Sequence, residues 1–600
     1  MDLLPKVFRT EGNIAEFDPS KIFESILKET GMSEADVKNI TELVVRRIVS
    51  SGIKFLSGPH IREIVCSILS EQHFENERKL YTRIGMPLMD YEQILERGPS
   101  DKPYEQINPE KIHHWAANQI AEEYTHLRIL KDEESRAHLS GEIHINHLNY
   151  FVLRPFTQIW DPRFILKYGF PPMKNLKGYT KQKPAKSLNS ALYQLNKWLG
   201  IIQNEFYGKQ SYNLFSTFLA PYVQNLSEEE TIQEIKNFFF EINQLPLIIG
   251  REISQSSISS SCSILNETLE IPAIIPDGKN RNVYGNYQKE CKRLFKALIL
   301  AFKEVYQKDH LHSLPKHSIL LDNKFVDLIE DIYPNFWKEI ELIQSFSFVN
   351  LFLDSYRSKN IPYLSKDKFH NFGILQNISI NLPRIAFISK DENKFLEILR
   401  SNLNICSNIL VKKYDIIKKR IDSNNLPFCS SVIDGVPLFK LKNQSLSFSL
   451  VGLNEASKYL TNYHLHENAE AIKFSMKILS EINQICSELS EKHKRVFILS
   501  ENVSEKAVNR FTKLDLKQYP NQVKFVSNNQ GYTNSVHFCV NAEIELLNRI
   551  RIQEDFHATI HEGAIAYFSL NDLKRNDFNV KDFIRKISKD SRISSLKFYS

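Results

Sequence analysis

The feature that most constrains the fold is an alternation of short strand-like segments with longer helical segments along most of the chain. Residues 141–151, GEIHINHLNYF, are strand-like, whereas Ser227 and Glu230 form a capping box that opens a phenylalanine-rich helix. This alternation predicts an α/β fold. Because 600 residues exceed one ordinary domain, the sequence also predicts several units, or one large barrel with additions.

Composition and charge exclude several classes of protein. With 42% hydrophobic and 25% charged residues, the chain is typical of a globular protein with a sizeable core. The net charge is +6 and the basic residues are scattered, which argues against a nucleic-acid-binding face but not against a nucleotide, which needs only local positive charge. The N-terminus has no signal-peptide core, and the apolar runs are too short to cross a membrane. We therefore expect a cytoplasmic protein that binds neither nucleic acid nor membrane.

The cysteines and histidines give little support for a metal site. The seven cysteines are widely spaced and none forms a CxxC pair, which predicts neither a zinc ribbon nor a disulfide framework. Cys262 lies in a serine-rich tract and is interpreted as a small buried hydrophobic residue rather than a catalytic one. His144, Asn146 and His147 could bind a metal by type, but alternation along a strand would place His144 and His147 on opposite faces. We expect no metal site in this chain.

The first 95 residues predict a small module of their own. Strand-like residues 7–9 and 14–17 flank turn chemistry at 11–13 and predict a hairpin. Asp18 is a suitable helix N-cap, Pro19 suits the first helical position, and Gly31 suits the helix end. Two amphipathic helices are predicted at 37–52 and 58–72. The polar stretch ERGPSDKPYEQ that follows predicts a linker.

This module, residues 3–95, resembles the ATP-cone, the nucleotide-sensing domain of ribonucleotide reductases. The resemblance rests on the opening Val7, Arg9, Thr10, Glu11, Gly12 and on the signature FDPSKI at residues 17–22. It implies that Arg9 and Lys21 contact the phosphates of ATP or dATP and that Arg62 faces the nucleotide, which suits cationic donors on rigid elements. Thr10 stands where the family has a second basic residue, which argues against a strong phosphate contact there. The candidate binding residues are Val7, Arg9, Thr10, Glu16, Lys21 and Arg62.

Residues 105–600 resemble the archaeal form of the anaerobic, class III ribonucleoside-triphosphate reductase. The resemblance is carried by collinear motifs that span nearly all of this region, at 138–150, 154–156 (RPF), 160–161 (WD), 203–210, 217–222, 377–386 (a strand containing INLPRIA), 452–455 (GLNE), 464–470 (a helix) and 561–570. It implies a ten-stranded α/β barrel of two antiparallel halves, penetrated by a finger loop, and the activity of reducing ribonucleoside triphosphates to deoxyribonucleotides.

The residues that should carry the radical chemistry of that family are missing. A thiyl radical abstracts the 3′-hydrogen of the ribose, yet the finger-loop stretch, residues 351–386, contains no cysteine, and Tyr356, between Ser355 and Arg357, is the best candidate for the position. Thr157 stands where the family has a redox cysteine. No glycine follows Gly563, so we expect the C-terminal zinc and glycyl-radical segment to be absent. We assign no catalytic residue.

Three interpretations follow. The chain could be the large part of a split reductase that needs a separate glycyl-radical polypeptide and, if active, a radical-generating activase. It could be a degenerate, nucleotide-binding paralogue that regulates or partners an intact reductase, alone or as a homodimer, and the joint loss of these residues favours this description of the isolated chain. In the third interpretation, the barrel has acquired a function unrelated to ribonucleotide reduction.

Overall fold

The structure, a computed structural model, describes the chain apart from residues 1–5, 9–13, 54, 86–87, 98–108, 173–179, 250–255, 306–314, 322–324, 345–348, 354–370, 503, 528–530, 540–541, 562 and 600. The predicted linker and finger-loop positions lie largely outside the described residues. The chain divides into two compact units, Met1–Ser135 and Arg136–Ser600. The first unit thus extends well beyond residue 95.

The first unit is a small α+β structure. Its elements are β1 (Lys6–Phe8), β2 (Ile14–Glu16), α1 (Pro19–Thr30), α2 (Glu34–Ser50), β3 (Phe55–Ser57), α3 (Gly58–Glu71), α4 (Glu75–Tyr81), α5 (Leu88–Arg97) and α6 (Pro109–Tyr124), followed by a π-helical turn, Thr125–Ile129. β1 pairs antiparallel with β2 and parallel with β3. The predicted hairpin and three helices are confirmed, whereas β3, α4 and α5 had no clear sequence signal.

Local chemistry explains the start of this unit. The Asp18 side chain accepts a hydrogen bond from the backbone N–H of Ser20 at 2.9 Å, and Pro19 begins α1. Gly31 ends the helix with a φ of 70°, in the left-handed region that favours glycine. Buried apolar side chains of α1, α2 and α3, among them Ile26, Val44 and Val65, form the core.

The second unit is an α/β structure with mixed sheets. Its strands are β4 (Ile143–Ile145), β5 (Gln158–Trp160), β6 (Gln210–Tyr212), β7 (Ser256–Ser260), β8 (Pro272–Ile275), β9 (Lys279–Val283), β10 (Lys316–Leu320), β11 (Val349–Phe352), β12 (Gly373–Asn381), β13 (Val432–Ile433), β14 (Val436–Pro437), β15 (Gln444–Val451), β16 (Phe497–Leu499), β17 (Ile565–Ser569) and β18 (Ser595–Tyr599). The described strands form a seven-stranded sheet in the order β17-β18-β11-β10-β7-β6-β5 and a four-stranded sheet in the order β16-β15-β12-β4, with two small two-stranded ribbons.

Helices connect these strands. The described helices are α7 (Asp132–Ser140), α8 (Arg163–Tyr168), α9 (Leu188–Ile202), α10 (Phe215–Leu219), α11 (Glu228–Ile249), α12 (Gln288–Val305), α13 (Phe325–Ile332), α14 (Phe336–Gln344), α15 (Leu382–Ser389), α16 (Glu392–Asp422), α17 (Leu453–Thr461), α18 (Ala469–His493), α19 (Glu505–Gln518), α20 (Pro520–Ser527), α21 (Leu546–Thr559), α22 (Leu570–Arg575) and α23 (Val580–Asp590). The capping box of α11 is confirmed, since the Ser227 N–H donates to Glu230 and the Glu230 N–H donates to Ser227.

The two sheets are in contact at two places. A backbone bridge joins Ile159 of β5 to Phe372 beside β12. At the opposite edge, the Ile565 N–H at the start of β17 donates to the carboxylate of Glu501, just after β16. These contacts join the seven-stranded sheet to the four-stranded sheet at two places.

Three local predictions were wrong in detail. The strand containing INLPRIA ends at Asn381, and residues 382–389 form a helix, because the Asn381 side chain caps it and Pro383 suits its first turn. The strand-like stretch 141–151 has only three strand residues, Ile143–Ile145. The predicted helix at 464–470 begins only at Ala469, where Asn468 is the N-cap.

Among the described helices, none combines the length and apolar composition needed to cross a membrane.

Candidate functional site

The first unit contains a cavity of about 510 Å³ beside its sheet. Its lining residues come from β1, β2, α1, the start of α3 and the end of α4, and are Val7, Glu16, Phe17, Asp18, Lys21, Ile22, Ser25, Gly58, Pro59, Ile61, Arg62, Tyr81 and Arg83. The volume suits a small-molecule ligand. The lining includes both apolar side chains and the three cations Lys21, Arg62 and Arg83, a combination that suits a flat group carrying anionic charge.

Four of the six predicted binding residues line this cavity. Val7, Glu16, Lys21 and Arg62 lie there together, although they are spread over β1, β2, α1 and α3. Arg9 and Thr10 lie outside the described residues.

Sequence reasoning missed Tyr81 and Arg83. Both line the same cavity, Tyr81 at the end of α4 and Arg83 just after it. Neither belongs to a recognisable motif, and their approach to the cavity depends on how α4 packs against α1 and α3. The first turn of α3, with Gly58 and Pro59, also faces the cavity and adds the partial positive charge of a helix N-terminus.

Arg62 has a partner that sequence did not suggest. Its guanidinium donates two hydrogen bonds of 2.8 Å to the carboxylate of Glu29 and one of 2.6 Å to the backbone oxygen of Tyr81. It also lies over the Tyr81 ring, 4.2 Å from the ring centre. The hydrogen bonds from Arg62 lower the pKa of Glu29. Arg62 is therefore held by a carboxylate at one edge of the cavity.

Lys21 is bound much more loosely. Its ammonium group is 2.9 Å from Glu24, and both side chains are mostly exposed. A surface pair of this kind contributes little, so Lys21 can exchange Glu24 for a ligand at small cost.

In the second unit, one face of the four-stranded sheet carries a continuous polar network. The Asn146 amide donates to Asn377 at 2.7 Å and to Ser379 at 3.0 Å, and Asn377 donates to Ser447 at 2.9 Å. Ser504, the N-cap of α19, donates to Asn146 at 2.8 Å. These groups are largely buried yet hydrogen-bonded, as buried polar groups require. They are amides and hydroxyls, which can position a ligand but cannot form a thiyl radical.

Two histidines lie beside this network. Burial lowers the pKa of His144 to about 3 and that of His147 to about 4, so both are neutral near pH 7. The Nδ1 atom of His144 has no hydrogen-bond partner among the described residues. β4 ends before His147, which has a φ of 51°, so the strand alternation that separated the two histidines does not apply to it. Among the described residues, no group of three or more His, Cys, Asp or Glu side chains is arranged to hold a metal ion.

Thr157 lies at the junction of the two sheets. Its N–H donates to the backbone oxygen of Ile374 at 2.9 Å, and its hydroxyl accepts from the Ile374 N–H at 3.2 Å. The hydroxyl thus stabilises the backbone at the position predicted to correspond to a redox cysteine of the resembling family. Cys262 is fully buried in an apolar cluster that includes side chains of the seven-stranded sheet.

A second cavity, of about 450 Å³, lies beside α17. Glu455, His464, His466 and Cys539 are among its lining residues. The Glu455 carboxylate accepts hydrogen bonds from the N–H and hydroxyl of Thr533, at 3.1 and 2.8 Å, and burial raises its pKa. The GLNE motif thus contributes to the packing around this cavity.

The comparison with known families decides the identity. Residues 104–599 match the family described as anaerobic ribonucleoside-triphosphate reductase. The chain belongs to this family. The reductase of Escherichia coli K12 is 21% identical over an alignment of 644 residues, which covers 96% of this chain and 87% of that relative. The reductase of Enterobacteria phage T4 is 22% identical over 490 residues, 74% of this chain and 76% of that relative.

Solved structures of anaerobic ribonucleotide reductases share the fold. The Thermotoga maritima enzyme with glycerol in the active site has a TM-score of 0.65 and 16% identity, covering 96% of this chain and 90% of that one. The same enzyme in complex with dATP and CTP has a TM-score of 0.63 with equal identity and coverage. Hydroxyproline dehydratase from Clostridioides difficile has a TM-score of 0.52 at 8% identity, covering 99% of this chain and 91% of that one. At these identities the likeness concerns the fold.

Proposed function

We propose that this reductase-family chain binds nucleotides in both units but does not reduce ribonucleotides by itself. The first unit, as an ATP-cone, senses ATP and dATP; the second, as a ten-stranded barrel of the reductase type, accepts a ribonucleoside triphosphate. The chain then acts on an intact reductase as a nucleotide-dependent partner. The alternative within the same family is a reductase whose missing radical groups are supplied by a separate polypeptide.

The absence of a cysteine from the finger-loop stretch, residues 351–386, carries the proposal. Of the seven cysteines, five are buried: Cys262 lies in an apolar core, Cys291, Cys406 and Cys486 lie in α12, α16 and α18, and Cys429 follows α16. Cys66 belongs to the first unit, and Cys539 lines the cavity beside α17. Residues 354–370 contain no cysteine. The finger-loop stretch therefore offers no thiol for hydrogen abstraction from a ribose.

The cavity of the first unit supports the sensing role. The cavity is lined by three cations, Lys21, Arg62 and Arg83, and by the N-terminus of α3, all of which can bind phosphates. Its apolar side chains can pack against a nucleotide base. Allosteric sensing requires that ATP and dATP bind with different affinities in two states of the assembly.

The first experiment is anaerobic reduction of labelled CTP by the purified chain, with a radical-generating activase and S-adenosylmethionine. We expect no deoxynucleotide from the chain alone. When an intact reductase from the same host is added, we expect the chain to raise or lower its rate in a manner that depends on ATP, and Lys21→Ala to weaken this dependence.

Turnover by the chain alone would refute the proposal and require a thiol elsewhere. Turnover that appears only with host extract, while extract lacking this chain stays inactive, would favour the split enzyme. The same assay in an extract depleted of the host's intact reductase distinguishes a split enzyme from stimulation of that reductase, because only the split enzyme would still produce deoxynucleotide.

A further inference from the structure

The cavity of about 450 Å³ beside α17 differs in charge from the cavity of the first unit. Two of its lining residues, Glu455 and Glu467, carry carboxylates, and none of the described lining residues is a lysine or an arginine. Its walls also include the aromatic rings of Phe525, Tyr532 and Phe538. A cavity of this size suits a small molecule, and this lining favours a cation with an apolar body.

Contacts between a helix and a distant loop place Glu455 at this cavity. Glu455 lies in the first turn of α17, shortly after β15. The Gly452 N–H donates to the backbone oxygen of Thr533 at 2.7 Å, which holds the loop at 531–535 against the end of β15. Thr533 then donates its N–H and its hydroxyl to the Glu455 carboxylate. The carboxylate is thereby fixed in position, and Glu455 is only 2% exposed.

The carboxylate of Glu455 is buried without a counter-charge. Its hydrogen bonds come from Asn454 and Thr533, and no Lys or Arg of the described residues forms an ion pair with it. The neighbouring sequence at 528–530 and 540–541 contains no basic residue either. Burial raises the pKa of Glu455, because a buried charge without a partner is unfavourable. A cation in the cavity would supply the missing counter-charge.

The histidines of the lining do not supply that charge. Burial lowers the pKa of His464 and of His466, so both rings are neutral near pH 7. His537 is hydrogen-bonded to Glu501, whose carboxylate offsets a charge on that ring. The Nδ1 atom of His466 and the Oδ1 atom of Asn534 are buried and have no hydrogen-bond partner among the described residues. Both atoms can accept a hydrogen bond, as an N–H group of a ligand requires.

Glu467 provides a second, more exposed carboxylate. Its side chain is 36% exposed, and its ion pair with Lys458 is 3.4 Å long. A pair at this exposure contributes little, so Glu467 can exchange Lys458 for another cation at small cost. The Lys458 ammonium also lies 5.9 Å from the ring centre of Phe525, which is half exposed. Glu467 and the Phe525 ring thus share one ammonium group, and an amine ligand can take its place.

We propose that this cavity binds an aliphatic diamine or polyamine, with one ammonium group on Glu455 and another on Glu467. The ammonium groups donate charged hydrogen bonds to the two carboxylates, and the carbon chain packs against the aromatic rings of the wall. A metal ion fits less well, since among the described residues no group of three or more His, Cys, Asp or Glu side chains is arranged to hold one. The cavity lies in the second unit, and the inference does not depend on nucleotide binding.

The test is calorimetric titration of the full chain with three ligands of equal chain length: putrescine with two ammonium groups, butylamine with one, and the corresponding uncharged diol. We expect putrescine to bind most tightly, butylamine to bind more weakly because it contacts one carboxylate, and the diol not to bind. Equal binding of the diol and putrescine, or no binding of putrescine by the parent, overturns the inference.

Two substitutions that keep the shape of the side chain assign the ammonium groups. Glu455→Gln should weaken binding of both putrescine and butylamine by about 10- to 100-fold, the effect of losing one charged hydrogen bond. Glu467→Gln should weaken putrescine by up to about fivefold and leave butylamine unchanged, because that carboxylate is exposed. Thermal melts establish that each variant is folded. Parental affinity for putrescine in folded Glu455→Gln refutes the site, since a carboxylate that serves only packing does not affect amine binding.

Phe525→Lys keeps the inference testable even if Glu455→Gln folds poorly, because an exposed position tolerates the change. It places a permanent cation beside the cavity and should weaken putrescine binding by up to about fivefold. Phe240→Lys, on α11, is the matched control, since Phe240 and Phe525 are both 50% exposed, and it should bind putrescine as the parent does. Equal affinities of these two variants for putrescine would also contradict the inference.

Discussion

Arg62 shows how one contact can control a candidate binding residue. Its guanidinium faces the cavity but is bound to Glu29 by two hydrogen bonds, and the two side chains are 28% and 33% exposed. A phosphate must therefore compete with Glu29 for Arg62. An ion pair at this exposure contributes roughly 0.2–1 kcal/mol, so the competition is weak but measurable.

Glu29→Gln tests this competition. Without the carboxylate, Arg62 is free to bind phosphate, and ATP affinity should rise by up to about fivefold, the equivalent of roughly 1 kcal/mol. Isothermal titration with ATP measures the change. Unchanged or weaker binding would mean that the pair serves the scaffold and that Arg62 does not contact the nucleotide.

The same pair predicts a dependence of stability on pH. Arg62 lowers the pKa of Glu29 in the folded state, so the pair stabilises the first unit above the unfolded-state pKa of that carboxyl. This stabilisation should be lost as pH falls through the lower, folded-state pKa. Thermal unfolding followed from neutral to acidic pH should show a smaller loss in Glu29→Gln than in the parent, and equal losses would contradict the assignment.

Lys21→Ala addresses the predicted phosphate contact directly. Loss of one charged hydrogen bond should weaken ATP binding by roughly 1.5–3 kcal/mol. Lys38→Ala, an exposed lysine on α2 away from the cavity, is the control and should not change the affinity. If the two variants bind ATP equally well, Lys21 does not contact the phosphates.

At the scale of elements, a buried ion pair ties α15 to α19. Arg384 donates to Asp515 at 2.6 Å, and the two side chains are 3% and 0% exposed. Asn381 and the Tyr532 hydroxyl each donate to the second carboxylate oxygen at 2.9 Å. Because both carboxylate oxygens accept hydrogen bonds, this network positions α19, whose N-cap residue Ser504 donates to Asn146.

Asp515→Asn should leave Arg384 buried without its counter-charge. Breaking a buried pair from one side costs about 3–5 kcal/mol, so we expect a large fall in the free energy of unfolding. Glu397→Gln breaks the exposed pair with Lys394 and should cost less than about 1 kcal/mol. Urea unfolding of both variants measures the difference, and similar small losses would show that the buried pair is not needed.

At the scale of the whole molecule, the two compact units predict two unfolding events. Calorimetry of the full chain should show a smaller transition for Met1–Ser135 and a larger one for Arg136–Ser600. ATP at a hundred times its dissociation constant should stabilise the smaller one by about 2.7 kcal/mol. Lys21→Ala should reduce that shift at the same ATP concentration. A single transition, or a smaller transition that ATP leaves unchanged, would contradict a separate sensing unit.

Local signals in the sequence predicted local structure well. The cap at Asp18, the end at Gly31 and the capping box at Ser227 were recognisable because each depends on residues within a few positions. At residues 141–151 no such boundary signal marks the end of the strand, and the prediction of strand was too long. At residues 382–386 the signal is present as Asn381 and Pro383, but it lies inside a motif that was interpreted as one strand.

Some residues of the candidate binding site could also be predicted from the sequence, and others could not. Val7, Glu16, Lys21 and Arg62 could be selected from the sequence because a family motif marks them. Glu29, Tyr81 and Arg83 could not, because their approach to the cavity depends on how the helices pack. The ten-stranded barrel, the ATP-cone and the resemblance to the archaeal form of the family remain predictions from the motifs.

The sequence by itself determined the family, because collinear motifs depend only on the order of residues. It also determined that the finger-loop stretch contains no cysteine, because that depends only on which residues are present. Only the tertiary structure decided that Arg384 meets Asp515 and that Asn146 meets Asn377. The partners in each case are far apart in the chain. Strand pairing and register bring them together, and no local pattern of residues encodes those distances.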